Sequence, residues 1–343
     1  MKRYLFTTLM VVLSLCWVTA QTNTTTQSGK NNVVEVEQVG ANGATQLQEG
    51  NDNRIEVTQE GSTNFSQIRQ YSDKNQAFTD QIGGANSNQV NISQGVQGTG
   101  DGDENGVGVL QADFANFNRV EVHQTGNKNL IASTQSGNFV TQNEVKINQS
   151  GNRNIATTFQ LNGIIQGNDT KIDQSGNRNQ AAVNQLAGEE IGNTHNVNQV
   201  GNDNNSVITQ SLASGNETNV SQLGNENQSS IIQQSNVDGN RVNVTQSGNK
   251  NINNINQTTS FNNMVDVVQS GNRNQAGLDQ VLSFEAEAIF LQSGNDNTGT
   301  IIQNNVDAGD FSTNATINQS GNNNNASIEQ MNVKNSRSDI MQG

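Results

Sequence analysis

The sequence predicts an all-β fold: a cross-β, amyloid-competent β-solenoid of stacked strand–turn–strand repeats. Three observations predict it. Glutamine, glycine, asparagine and a second glutamine recur at offsets 0, +2, +5 and +11 along most of the chain. The apolar residues stand two apart in short runs, the period of a strand with one buried face. The composition also argues against ordinary globular domains: of 343 residues only 31% are hydrophobic and 4% aromatic, and proline is absent. Scattered, so few apolar residues would read as disorder. Here they occupy positions that a strand turns to one side.

The chain opens on a separate element. Lys2 and Arg3 precede a mostly apolar stretch over residues 4–18, and Val18-Thr19-Ala20 supplies the small residues of a cleavage site. Residues 1–20 read as a secretory signal peptide, too short for a membrane span, with Gln21 as the first mature residue. Lipidation of Cys16 is the rival reading, and Leu15 fits it poorly. Cleavage after Ala20 removes Cys16 and Trp17, the only Cys and Trp, so an exported chain has no disulfide or thiol chemistry. Loss of Lys2 and Arg3 takes the net charge from −14 to −16. So acidic a chain is not built for nucleic acid or anionic membranes, and membrane contact is expected only during export.

Residues 21–343 read as one array. The leading glutamines are Gln124, Gln149, Gln174, Gln199, Gln222, Gln246, Gln269, Gln292 and Gln319, 23 to 27 residues apart. Their closing partners are Gln135, Gln160, Gln185, Gln210, Gln233, Gln257, Gln280, Gln303 and Gln330. The glycines between them are Gly126, Gly151, Gly176, Gly201, Gly224, Gly248, Gly271, Gly294 and Gly321. The asparagines are Asn154, Asn179, Asn204, Asn227, Asn251, Asn274, Asn297 and Asn324. The same offsets hold from Gln27, Gln48 and Gln59. A fixed period of this length marks a solenoid.

Each period divides into two strands. Asn143, Val145 and Ile147 lead to Gln149 in steps of two, as Asn118, Val120 and Val122 lead to Gln124. After the turn, Asn179, Ala181, Val183 and Gln185 keep the same parity. The turn is Ser150-Gly151-Asn152-Arg153, where Gly and Asn are expected to accept positive φ. Residues 161–167 read as a looser return loop. The other faces carry Arg119, Glu121, Glu144, Lys146, Asp169 and Lys171, which read as solvated and discourage sideways sheet pairing. Ile155 and Phe159 are apolar on that outer face and have no account from the pattern.

One rung buries too little to fold alone, so stacking must supply the stability. In register, like amides meet in consecutive layers, each donating to one neighbour and accepting from the other. Repetition thereby removes the usual cost of a buried amide. A one-residue slip would bury the charged face, so the ladders also set register. Rungs of 23–25 residues from residue 38 to 330, with a further match at residues 336–342, make about 12 to 13 rungs. That is roughly 60 Å of stack. Soluble solenoids close with atypical capping repeats. None stands out here, so the open edges are expected to add further copies end to end.

The pattern resembles the curlin repeat: Ser, five residues, then Gln-x-Gly-x-x-Asn-x-Ala-x-x-x-Gln. Residues 143–160 match it at every marked position except the first, where Asn143 stands for Ser, and Ser336 keeps the serine six before Gln342. The resemblance covers nearly all of residues 21–343. It implies a subunit of secreted bacterial functional amyloid, building extracellular fibres for cell adhesion and biofilm matrix. It also implies a self-polymer, export through a dedicated outer-membrane pore and nucleation by a minor subunit. This chain has many more repeats than familiar members, and Ile131, Ser206, Ser229, Asn253 and Gly299 replace the repeat's Ala. An irregular insertion at residues 95–104 is expected to interrupt the rungs. Major subunit and minor nucleator both fit.

The remaining motifs have plain readings. Residues 101–106 resemble the start of a calcium loop, with Asp101 and Asp103 as candidate ligands. The twelfth position is Ala112 rather than Glu, so an acidic surface loop is the simpler reading. His123 falls on an outward strand position and His195 on an inward one, each without a second metal ligand nearby in sequence. No triad motif or phosphate loop occurs, so neither enzyme nor cofactor is expected. Lys128, Arg153, Arg178, Lys250 and Arg273 share one turn position with Asp203, Glu226 and Asp296, a solvated corner whose charges could set assembly speed. A monomeric adhesin or ice-binding solenoid is the other function class. Ice binding needs flat, uncharged outward rows, and Glu144, Lys146, Asp169 and Lys171 break them.

Overall fold

The computed structural model describes residues 21–95, 103–137, 139–307 and 313–343. The leader at residues 1–20, with Cys16, and the calcium candidate Asp101 lie outside the described residues.

Alternation in the sequence becomes alternation in burial. In the strand Glu144–Asn152, Val145, Ile147 and Gln149 point inward and are buried, while Glu144, Lys146 and Asn148 stay partly exposed. The strand after the turn, Ile155–Gln166, buries Ala156, Thr158 and Gln160 in the same way. The strands assemble into two wholly parallel sheets, one of 14 strands in line and one of 13 in line with the short strand Phe139–Thr141 pairing beside them, and the chain crosses from one to the other at every turn. Thirteen two-stranded rungs therefore stack, and Arg337–Gln342 adds a further strand to the first sheet. The array begins one strand earlier than the apolar pattern indicates. Thr22–Ser28 pairs in register with Gly43–Glu49 although it has no apolar residue.

Register repeats without slip at the glutamines, with Gln124 beside Gln149 and Gln149 beside Gln174. Val, Ile and Ala from both sheets form one continuous core along the stack. Local misfits are compensated across it. Phe290 is the largest fully buried side chain, and a methyl on Gly299 would stand 3.1 Å from its ring. The glycine that departs from the repeat's Ala makes room for the one aromatic that departs from its Val or Ile.

Two expectations are corrected. The insertion at residues 95–104 does not interrupt the rungs. Gln89–Gln94 pairs on both sides in the first sheet and Gly106–Ala112 on both sides in the second. The strands on either side of the insertion keep the register of the rungs above and below. The return segment is also not a loose loop in the middle rungs. Residues Gly163 to Gln166 pair with Gly188 to Ile191, and Ala115, Val140 and Ile165 form a second small core behind that arc. The outer faces carry ion pairs such as Arg119–Glu144 at 3.3 Å. At such exposure each contributes little to stability.

Candidate functional site

The chemistry of this molecule lies along its axis. In the first sheet, glutamine Nε2 donates to the Oε1 of the next rung from Gln27 through Gln48, Gln70, Gln94, Gln124 and onward to Gln319 and Gln342. All thirteen links lie between 2.7 and 3.0 Å. The second amide proton is used as well: Gln174 Nε2 also donates to the Ile155 carbonyl at 3.0 Å, across to the other sheet. The second-sheet ladder runs from Gln38 to Gln330, through Gln59, Gln81, Gln111, Gln135 and Gln160. Its links measure 2.6 to 2.8 Å except for one, Gln185 to Gln210 at 3.5 Å.

The asparagines form a clamp of opposite polarity. Asn154 donates its backbone N–H and its Nδ2 back to Asn129 Oδ1, at 3.0 and 3.1 Å. Its Nδ2 also reaches the Ser150 carbonyl at 3.0 Å and the Gly176 carbonyl of the next rung at 2.9 Å. One side chain thus ties three rungs together. Asn179, Asn204, Asn227, Asn251, Asn274 and Asn297 repeat the side-chain link to the asparagine below. Asn324 keeps only the backbone link, at 3.0 Å.

The corner is tighter than the sequence pattern conveys. Gly151 has φ 95° and Gly176 φ 108°, and a methyl on Gly176 would overlap the carbonyl oxygen of Gly201. The other positive φ belongs not to the turn asparagine but to the residue after it, at 59° for Arg153 and 56° for Arg178. The turn asparagine instead makes a third ladder: Asn152 donates its N–H and Nδ2 to Asn177 Oδ1, both at 3.2 Å. The pattern carries that signal, since this asparagine recurs at +3 from the leading glutamine; it is hidden among residues that favour turns for other reasons. The charges at the next position pair along the axis. Arg178 and Arg273 each make two 2.6 Å bonds, to Asp203 and Asp296. The guanidinium beside each holds both carboxyls below their ordinary range.

Two ionisable side chains are buried in one turn of the stack. His195 points inward, wholly buried, between Thr170 and Thr218 of the neighbouring rungs. Its Nε2 lies 3.3 Å from Gln185 Nε2 at the long link of the ladder, and its Nδ1 has no partner. Burial pushes it down to about 4. Glu190 replaces an apolar residue on the inner side of the return arc, beside Ile165. Its Oε2 accepts from Asn193 Nδ2 at 3.4 Å, its Oε1 has no partner, and burial pushes it up to about 8. Periodicity misses Glu190 because it falls in a segment that reads as loop.

His123 faces outward. Asp103 belongs to the outer turn ladder: its Oδ1 accepts from Ser72 Oγ and from the Asp73 N–H, and its own N–H donates to Asn127 Oδ1. Its carboxylate stands where other rungs place the turn asparagine. Among the described residues no cluster of three or more His, Cys, Asp or Glu could hold a metal ion.

These parts define a stacking device, with hydrogen-bonding groups presented along one axis in a repeat that any further rung of the same kind would match. No protein-family model matches the chain, and a search of curated proteins finds no match. The resemblance to curlin repeats therefore rests on the residues quoted for it.

Proposed function

We propose that the chain is a secreted structural subunit of an extracellular, curli-like cross-β fibre serving cell adhesion and biofilm matrix. It assembles by rung-on-rung stacking of identical copies. The observation that carries this reading is the pair of glutamine ladders, continuous through every rung and reaching the outermost strands of the described stack. Thr22–Ser28 is exposed along its whole length, and one side of its backbone has no strand beside it in the described sheet. Such an edge is a template for another strand. Another copy offers the same glutamine spacing and the same parity. An outer-membrane export pore and a minor nucleator are the partners that the curlin resemblance brings to this proposal.

The test is electron microscopy and X-ray fibre diffraction of residues 21–343 after removal of denaturant. Thioflavin-positive fibres with meridional spacing near 4.8 Å are expected, the inter-strand distance of a sheet. A chain that stays monomeric at high concentration would overturn the reading. Seeding distinguishes the subunit types: a nucleator accelerates a partner chain at low ratio, whereas a major subunit forms the bulk of the fibre.

A further inference from the structure

The flank of the stack carries a second site, independent of how the ends behave. The return arcs leave a groove of about 960 Å³ between the arc that begins at Asp113 and the one that holds Phe261. Gly137, Gly163 and Gly188 form part of its lining, in consecutive arcs. Phe114 and Phe139 stand at one end, 59% and 63% exposed, and Leu212 and Phe261 line the other. Every charge in the lining is negative: Asp113, Glu189 and Asp238. Among the described residues none of the three is in an ion pair; Asp113 Oδ2 accepts from Ser136 Oγ at 2.7 Å.

We propose that this groove docks an extended cationic peptide of another protein, its Lys or Arg side chains on the carboxylates and its apolar side chains on the rings and along the glycines. Three features select that occupant. A lining of one charge sign with exposed aromatic faces favours organic cations, through carboxylate pairing and cation–π attraction. The carboxylates lie three and then two rungs apart, about 14 and 10 Å at the inter-strand spacing. A small cation reaches one of them, whereas an extended peptide spans all three with about seven residues. A second copy of this chain is a poor occupant, because it brings the same net negative charge of −14.

The test is fluorescence anisotropy with the full mature chain and a short labelled peptide alternating Lys with Leu. The triple variant Asp113→Asn, Glu189→Gln, Asp238→Asn is expected to bind about tenfold more weakly. A control triple on the outer face of the first sheet, Glu144→Gln, Asp169→Asn, Glu217→Gln, makes the same charge change and is expected to leave affinity within about twofold. Equal weakening by both triples would reduce the effect to general attraction to an acidic chain and overturn the site. No weakening by the groove triple would overturn it too. So would unchanged affinity for a peptide with Ser in place of Leu. Circular dichroism and fibre growth should be the same for all variants, so failure here is separable from failure of the assembly reading.

Discussion

Replacing Glu190 by Gln should tighten its turn of the stack at neutral pH and do nothing in acid. The buried carboxyl of Glu190 is raised from 4.5 to about 8, so folding takes up a proton that the unfolded chain has released. Its contribution is whole below pH 4.5, falls as pH rises and levels off above about 8. By pH 7 the loss is on the order of 3 kcal/mol. His195 runs the other way. Lowered from 6.5 to about 4, it contributes fully above pH 6.5 and loses on the order of 3 kcal/mol as pH falls to about 4. Between pH 4.5 and 6.5 the two slopes cancel, so this turn is most stable over that window. Glu190→Gln removes the alkaline limb, and His195→Thr, matching Thr170 and Thr218 in its column, removes the acid limb. Rungs of a solenoid open semi-independently, so the assay must be local. Amide exchange of Thr194–Asn202 relative to Arg241–Asn249 at the same pH cancels the intrinsic exchange rate. Glu190→Gln should slow the relative exchange by at least about tenfold at pH 7.5 and leave it unchanged at pH 4. Equal effects at both pH values would refute proton uptake on burial.

Gly176→Ala should cost about 3 kcal/mol or more, because the methyl is strained at φ 108° and overlaps the Gly201 carbonyl, and chemical denaturation should show it. Gln222→Leu should cost about 2–4 kcal/mol by the same assay, since Gln199 Nε2 loses its acceptor and Gln246 Oε1 its donor inside a dry stack. Gly299→Ala should destabilise by about 1–2 kcal/mol against Phe290, although Ala is the common residue in that column. Adding Phe290→Leu should recover part of that loss, and a double-mutant cycle showing no coupling would refute the compensation across the core.

The architecture was legible because the repeat fixes parity, and parity fixes which side chains face inward. Val145, Ile147 and Gln149 are buried together for the reason that places them two apart. What stayed illegible depends on the third dimension of the turn. The left-handed residue is Arg153 rather than Asn152, since Asn152 must hold its amide along the axis to reach Asn177. The paired arc over residues 163–166 varies in sequence from rung to rung and shows no period of its own. Its order comes from the strands on either side of it. Glu190 and His195 were invisible as a pair because Glu190 falls in the apparent loop, with four residues between it and His195 in the following strand, while the fold buries both.

The two kinds of ladder run in opposite directions, and this gives the stack a polarity. Glutamine Nε2 donates toward the C-terminal rungs, as from Gln149 to Gln174. The buried asparagine that opens each strand donates toward the N-terminal rungs, as from Asn179 to Asn154, whereas the turn asparagine runs with the glutamines, as from Asn152 to Asn177. Every interior rung is therefore both donor and acceptor toward each neighbour, and loss of either partner leaves a buried amide group unpaired. The outermost strands differ accordingly. The Gln27 and Gln38 edge presents amide oxygens, and at the other end Gln342 presents an amide N–H, whereas Gln330 Nε2 is already engaged, donating to the Asn314 carbonyl at 3.0 Å and to Ser338 Oγ at 3.3 Å. Two copies meeting at like edges would set acceptor against acceptor or donor against donor. Two copies meeting head to tail set Gln342 beside Gln27 and continue the first-sheet glutamine ladder, while the second sheet, which ends one strand earlier at Gln330, is left one strand short at the junction. A fibre built this way has a direction, and its two tips should grow at different rates when single fibres are followed by microscopy. Equal growth at both tips, or fibres that reverse direction, would remove the ladders from the account of assembly.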